Sequence, residues 1–153
     1  MNSKELKLLV KQIVEKANAL KNKHTDQKKA PVNYACIFSQ SDGEYENLIN
    51  ITKELGKVIK ETPTGPLFHI KSLNTISGNL VLLKIRKAAS TRPERGDADF
   101  TIENYSQFKK KYITQPGFKL IKREKMEMLE LVDSRFNIRV YFSNPPLTEQ
   151  FKL

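Results

Sequence analysis

The stretch Asn79-Leu-Val-Leu-Leu-Lys-Ile-Arg-Lys87, Ala88-Ala-Ser-Thr-Arg-Pro-Glu-Arg-Gly96, Asp97-Ala-Asp-Phe-Thr-Ile-Glu-Asn-Tyr105 decides how the chain is read. Two apolar segments of strand character flank an arginine-rich loop broken by Pro93 and Gly96, residue types that interrupt regular structure. On either side of this hinge the same order of elements is spelled once, so the chain carries it twice.

Before the hinge, Tyr34–Phe38 reads as a strand. Ser41 and Asp42 cap a helix from Gly43 to Leu55, with Tyr45, Leu48, Ile49, Thr52 and Leu55 on its inner face and Gly56 closing it. Strands follow at Lys57–Glu61, Leu67–Ile70 and Leu80–Arg86, with a turn from Pro63 to Pro66. After the hinge, Asp97–Ile102 is a strand, and Asn104 caps a helix whose apolar face is Tyr105, Phe108, Tyr112 and Ile113. Pro116-Gly117 ends that helix, and strands follow at Phe118–Lys122, Met126–Val132 and Asn137–Phe142. "Gly-Lys-Val-Ile-Lys-Glu" after the first helix answers "Gly-Phe-Lys-Leu-Ile-Lys-Arg" after the second. Self-similarity at half the chain length indicates two copies of one supersecondary unit.

The expected fold is therefore α+β: two βαβββ modules, about 33–87 and 97–143, joined by the basic loop 88–96. Side by side they form a curved, mixed, mainly antiparallel sheet with a concave face free to hold a ligand. Residues 31–153 make one domain, and 1–30 add an N-terminal helix and linker. In the helix, Leu6, Leu8, Leu9, Ile13, Val14, Ala17 and Leu20 recur at helical spacing, while Lys4, Lys7, Lys11 and Glu15 take the other face. Ordinary amphipathicity, with no aromatic anchor, reads as a helix laid on its own domain; a homodimer helix and a basic membrane-surface helix are the alternatives. Lys23–Pro31 reads as a linker, and the Pro-Pro pair after Asn144 makes the tail a surface segment. A single ferredoxin-like or lyase-like sheet is the rival fold.

Composition narrows the class. The apolar fraction is 39% and the charged fraction 29%, with one cysteine in 153 residues. One cysteine excludes an internal disulfide and any cysteine-based zinc cluster. No run is long enough to span a bilayer and no apolar leader opens the chain, which gives the expectation of a cytoplasmic protein without membrane partners. The formal net charge of +10 raises nucleic acid as a partner. Its excess lies in two places: eight lysines against three acids in 1–30, and five bases against Glu94 in 72–95. A nucleic-acid groove requires those two segments to share a face.

The paired βαβββ order over about Val32–Asn144 resembles the vicinal oxygen chelate superfamily, which includes glyoxalase I, extradiol dioxygenases and bleomycin resistance proteins. The resemblance implies a divalent metal held by the first and last strand of each module, and for catalytic members a lyase or oxygenase reaction. At those positions this chain offers Tyr34 and Cys36, Lys84 and Arg86, Asp97 and Asp99, and Arg139 and Tyr141. Only Asp97 and Asp99 suit a divalent ion, and the cations beside them repel one, so no metal and no other cofactor is expected.

Other residues carry further expectations. His69 lies between Phe68 and Ile70, so alternation aims it opposite both, into the cup, with Glu130 as its counterpart in the second module. The pair is the candidate for general acid–base chemistry, against a structural histidine. Lys84, Arg86, Arg92, Arg95 and Arg139, with Tyr141, are the candidate contacts for a small anionic ligand. Asp97 and Asp99 share a face, and salt bridges to the nearby arginines are the plainer account of them. Cys36 reads as an inert core thiol. The function expected is thus anionic small-molecule binding; a nucleic-acid-associated protein and a metal-dependent lyase or dioxygenase are the alternatives.

Overall fold

Three of the four helices start where a short polar side chain replaces a missing backbone partner. Ser41 Oγ accepts from the Glu44 N–H at 3.1 Å, and Glu44 Oε1 accepts from the Gln40 N–H at 2.9 Å, so the two satisfy donors reciprocally at one helix start. Asn104 Oδ1 accepts from the Gln107 N–H at 3.3 Å in the same way. At the N-terminus the cap is Asn2, accepting from Glu5 N–H at 2.9 Å.

The computed structural model describes every residue from Met1 to Leu153. In chain order the elements are α1 (Ser3–His24), β1 (Val32–Phe38), α2 (Asp42–Leu55), β2 (Gly56–Lys60), β3 (Leu67–Thr75) and β4 (Gly78–Arg86). After the hinge come β5 (Gly96–Phe100), α3 (Tyr105–Tyr112), β6 (Phe118–Lys122), β7 (Glu127–Val132), β8 (Arg139–Asn144) and α4 (Leu147–Gln150). No helix is long and apolar enough to cross a membrane.

All eight strands form one sheet in the order β2-β3-β4-β1-β5-β8-β7-β6. Exchanging β1 with β5, β2 with β6, β3 with β7 and β4 with β8 maps this order onto itself reversed, which is the pseudo-twofold relation expected from the repeat. Within each module the first and last strands run parallel, β1 with β4 and β5 with β8, and the other pairings are antiparallel. The modules meet along the antiparallel pair β1–β5, where Cys36 stands opposite Asp97 and Tyr34 opposite Asp99. Lys60 of β2 and Ile121 of β6, on the two outermost strands, line one cavity. The open sheet is therefore curved into a cup.

Alternation along the central strands separates core from cup. Ala35, Ile37, Leu83, Ile85, Ala98, Phe100, Leu129, Leu131, Val140 and Phe142 face the helices and belong to one buried cluster. Tyr34, Lys84, Arg86, Asp97, Asp99 and Tyr141 face the other way and line the cup. Six residues of α1 join the cluster, from Leu6 to Leu20, and the helix touches β1, β3, β5, β8 and α2. At about 1.5–3 kcal/mol for each large apolar side chain buried, α1 is a major part of the core. Gly96 allows this closeness: a Cβ there would sit 2.2 Å from the Cys36 carbonyl oxygen and 3.0 Å from Ile13 Cδ1.

Several expectations need correction. Leu8 is exposed, because it lies off the buried stripe of α1. Lys21 is fully buried instead: its Nζ donates to Asn22 Oδ1 at 2.8 Å and to the Gln27 carbonyl, and lies 5.1 Å from the centre of the Phe100 ring. The segment read as a linker is pinned to the second module, since Asp26 takes Lys111 Nζ at 2.8 Å and the Tyr112 hydroxyl at 3.1 Å. Gly56 closes α2 as expected, its N–H on the Thr52 carbonyl, and begins β2 directly in extended backbone. The tail is not a plain surface segment: α4 turns back, and Leu147, Gln150 and Phe151 line the cup.

Candidate functional site

The cup encloses a cavity of about 510 Å³ at the junction of the modules. Its floor is built from neighbouring positions on four central strands. Cys36 of β1 pairs with Lys84 on one side and Asp97 on the other, and Asp97 pairs with Arg139. One pleat along, Tyr34 pairs with Asp99, and Asp99 with Tyr141. Parity on adjacent strands of a sheet forces these side chains onto one face. The rim is supplied by Lys60, Arg92, Arg123, Met126 and Met128, together with Leu147 and Phe151 of the returning tail.

Five cations line the cavity: Lys60, Lys84, Arg86, Arg92 and Arg123. None of them takes part in any of the seven ion pairs of the fold. Lys84 donates to Thr64 Oγ1 at 2.6 Å, and burial pulls its ammonium below the usual lysine range. Arg86 lies over the Phe38 ring at 5.8 Å, and its Nε is buried without a partner.

The two carboxyls opposite them differ. Asp99 accepts from the Asn33 amide and the Ser143 N–H, each at 3.1 Å, and from the Ser143 hydroxyl. Burial raises its pKa to about 6 even so. Asp97 has no hydrogen bond, its Oδ1 is enclosed without a partner, and burial with the charge of Asp99 raises its pKa to about 7. Burial also pushes the Cys36 thiol, the Tyr34 phenol and the Tyr141 phenol well up, so all three stay protonated at neutral pH.

Of the residues singled out in the sequence, Lys84, Arg86, Arg92, Tyr141, Asp97 and Asp99 come together here. Arg95 does not. Its guanidinium holds Glu44 at 2.6 and 3.1 Å and the Phe38 carbonyl at 3.1 Å, fastening the hinge to the start of α2. Arg139 is also spent elsewhere, with Nε on Glu94 at 2.5 Å and Nη1 on Glu130 at 3.4 Å. Glu130 further accepts from the Tyr141 hydroxyl at 2.7 Å and is a brace for β8. His69 is exposed, does not line the cavity, and stands on β3 with four strands between it and Glu130 on β7. That candidate acid–base pair is therefore not assembled. Lys60 and Arg123, which the sequence reading passed over, join the site because curvature brings the sheet edges together; their only signal was position in short strands or turns at equivalent places in the repeat.

The divalent metal implied by the resemblance does not fit these side chains. No group of three His, Cys, Asp or Glu converges anywhere in the fold. Lys84 and Arg86 flank the one carboxylate left open, and Asp99 is already occupied. A second hollow, of about 670 Å³, lies between Asp26 and α3, but Asp26 and Lys111 satisfy each other there, Glu103 is exposed, and the hollow holds no unpartnered buried atom.

With this geometry in hand, comparison with solved structures is informative about architecture. The chain is similar to Protein EC4020, a structural genomics target, with a TM-score of 0.69 at 9% identity, over 92% of this chain and 86% of that one. The uncovered part is shorter than α1, so the match extends into that helix. The likeness is one of fold. A glyoxalase/bleomycin resistance protein/dioxygenase superfamily member from Vibrio splendidus 12B01 aligns with a TM-score of 0.48 at 7% identity, over 74% of this chain and 97% of that one. No protein-family model matches the chain, and no curated protein does.

Proposed function

We infer that the cup binds a small anionic molecule. The observation that carries this reading is the set of five cavity cations without a carboxylate partner, in a fold that pairs the half-buried Arg95 and Arg139 with acids. Two of the five, Lys84 and Arg86, sit on β4 beside the centre of the floor, where low solvent exposure strengthens their pull on an anion. Five cations against the two carboxyls Asp97 and Asp99 leave the cavity net positive, the more so as burial keeps Asp97 partly protonated near neutral pH. The phenol of Tyr34 adds a neutral hydrogen-bonding group to the floor.

The nucleic-acid reading loses its required geometry. Arg92 faces the cup, whereas α1 and its lysines cover the opposite face of the sheet. The metal-dependent reading loses its ligands, as above. A melting-temperature screen with phosphate, sulfate and small mono- and dicarboxylates tests the proposal. An anion that raises the midpoint of the wild type, and fails to do so in Lys84→Met/Arg86→Met, is the expected result. No shift with any anion counts against it.

A further inference from the structure

The anion reading leaves Asp97 unexplained. It is 7% exposed, lies on the cavity wall and makes no hydrogen bond or ion pair. An enclosed carboxyl without a partner is costly to keep, and native folds rarely keep one without a use. Asp99 on the same strand shows the contrast, with three donors from Asn33 and Ser143. The fold thus satisfies one carboxyl completely and turns the other, bare, to the cavity.

The nearest cation in the ladder, Arg139 on β8, is already held by Glu94 and Glu130, and the nearest unpaired cations stand on the far side of β1. Cys36 separates Lys84 from Asp97, so the two backbones are two strand spacings apart, about 9.5 Å. Both side chains enter one cavity, so a molecule a few bonds long can touch both at once. Arg86 Nε, likewise enclosed without an acceptor, stands on the same side as Lys84.

We propose that the ligand is a small zwitterion, a primary amine bearing a carboxylate or phosphate. Its ammonium sits on Asp97, and its acidic group on Lys84, Arg86 and Arg92. This rests on the anion reading and adds the second half of the molecule. The groups facing Asp97 are Tyr34 and Cys36 on β1, Lys84 and Arg86 on β4, Asp99 beside it, Tyr141 and the Glu94- and Glu130-bound Arg139 on β8, and Arg92 from the hinge. Among them Asp97 holds its proton to about pH 7. An arriving ammonium expels that proton, whereas an anion arriving alone draws one on.

Calorimetry with a panel of amino acids and phosphoethanolamine, against the matching deamino and 2-hydroxy acids and ethyl phosphate, distinguishes the cases. The amine should bind about tenfold or more tighter than its deamino partner, as a charge-assisted hydrogen bond implies. Asp97→Asn, near-isosteric and checked by its melting curve, should level the two classes while keeping anion affinity. For the amino-acid probes, titration in buffers of differing ionisation heat should show proton release by the wild type and none by Asp97→Asn. Equal affinity for amine and deamino acid, equal affinity for the hydroxy acid, proton uptake, or a preference that survives Asp97→Asn overturns the zwitterion and leaves the anion site standing. Binding by none of the probes, simple anions included, overturns both.

Discussion

Replacing Asp97 by asparagine removes an ionisable group from the floor of the cup while keeping its shape, and the consequence for stability follows from the proton. Burial and the neighbouring Asp99 raise the pKa of Asp97 from 3.8 to about 7. In the unfolded chain the carboxyl ionises near pH 4, so between about pH 4 and 7 the folded state binds a proton that the unfolded state has released. Stability therefore falls as pH rises through that window, and the deficit is complete above it. At about 1.4 kcal/mol per pH unit, it amounts to about 4 kcal/mol. An asparagine amide left without a partner costs about 1–3 kcal/mol at every pH. Asp97→Asn is thus expected to be no more stable than wild type at about pH 4.5, and more stable by about 1–3 kcal/mol at about pH 8.5. Urea unfolding of both proteins at the two pH values reads the difference directly, and subtraction removes the contributions of groups common to both. A difference between the two proteins that stays constant across that range would falsify the account, because it would mean that Asp97 ionises in the fold as it does in water.

Three other outcomes follow from the same geometry. Elemental analysis of protein purified without chelator or affinity tag should find no stoichiometric zinc, nickel, iron or manganese; one equivalent per chain, lost in Asp97→Ala, would restore a metalloenzyme. Ile13→Ala, at a position 1% exposed where α1 presses on Gly96, should cost about 2–5 kcal/mol in urea unfolding, whereas a loss under 1 kcal/mol would mean that α1 is dispensable to the core. Glu94→Gln removes the charge that holds Arg139 at 2.5 Å, and should let the hinge move, seen as faster amide exchange around Thr91 and Arg95; unchanged protection there would show that the pair does not fasten the loop.

The relation between sequence and structure divides along a physical line. Strand alternation, helical periodicity, capping residues and Gly/Pro breaks are consequences of backbone geometry over a few residues, and they read correctly here apart from single positions in α1, where Leu8 is exposed and Asn2, not Ser3, is the cap. Ser41 caps α2, Asn104 caps α3, Phe118–Lys122 is β6 within its expected limits, and the element order written twice becomes a sheet with a pseudo-twofold. Alternation likewise put Asp97 and Asp99 on one face of their strand, the face that lines the cup.

What alternation does not contain is which charge meets which. Arg95 and Arg139 looked as free as Lys84 and Arg86, yet Glu44 and Glu94, 51 and 45 residues away in the chain, claim them. Those pairings depend on the register between strands and on the path of the hinge, both settled only when the modules dock. The same holds for His69, whose face was legible but whose distance from Glu130 depends on strand order. It holds also for the tail, which crosses the cup because the sheet is curved. Asp97 is the sharpest case. Its position on the strand is written in the sequence, but the lack of any donor within hydrogen-bonding reach of it is a property of its whole neighbourhood, set by tertiary packing.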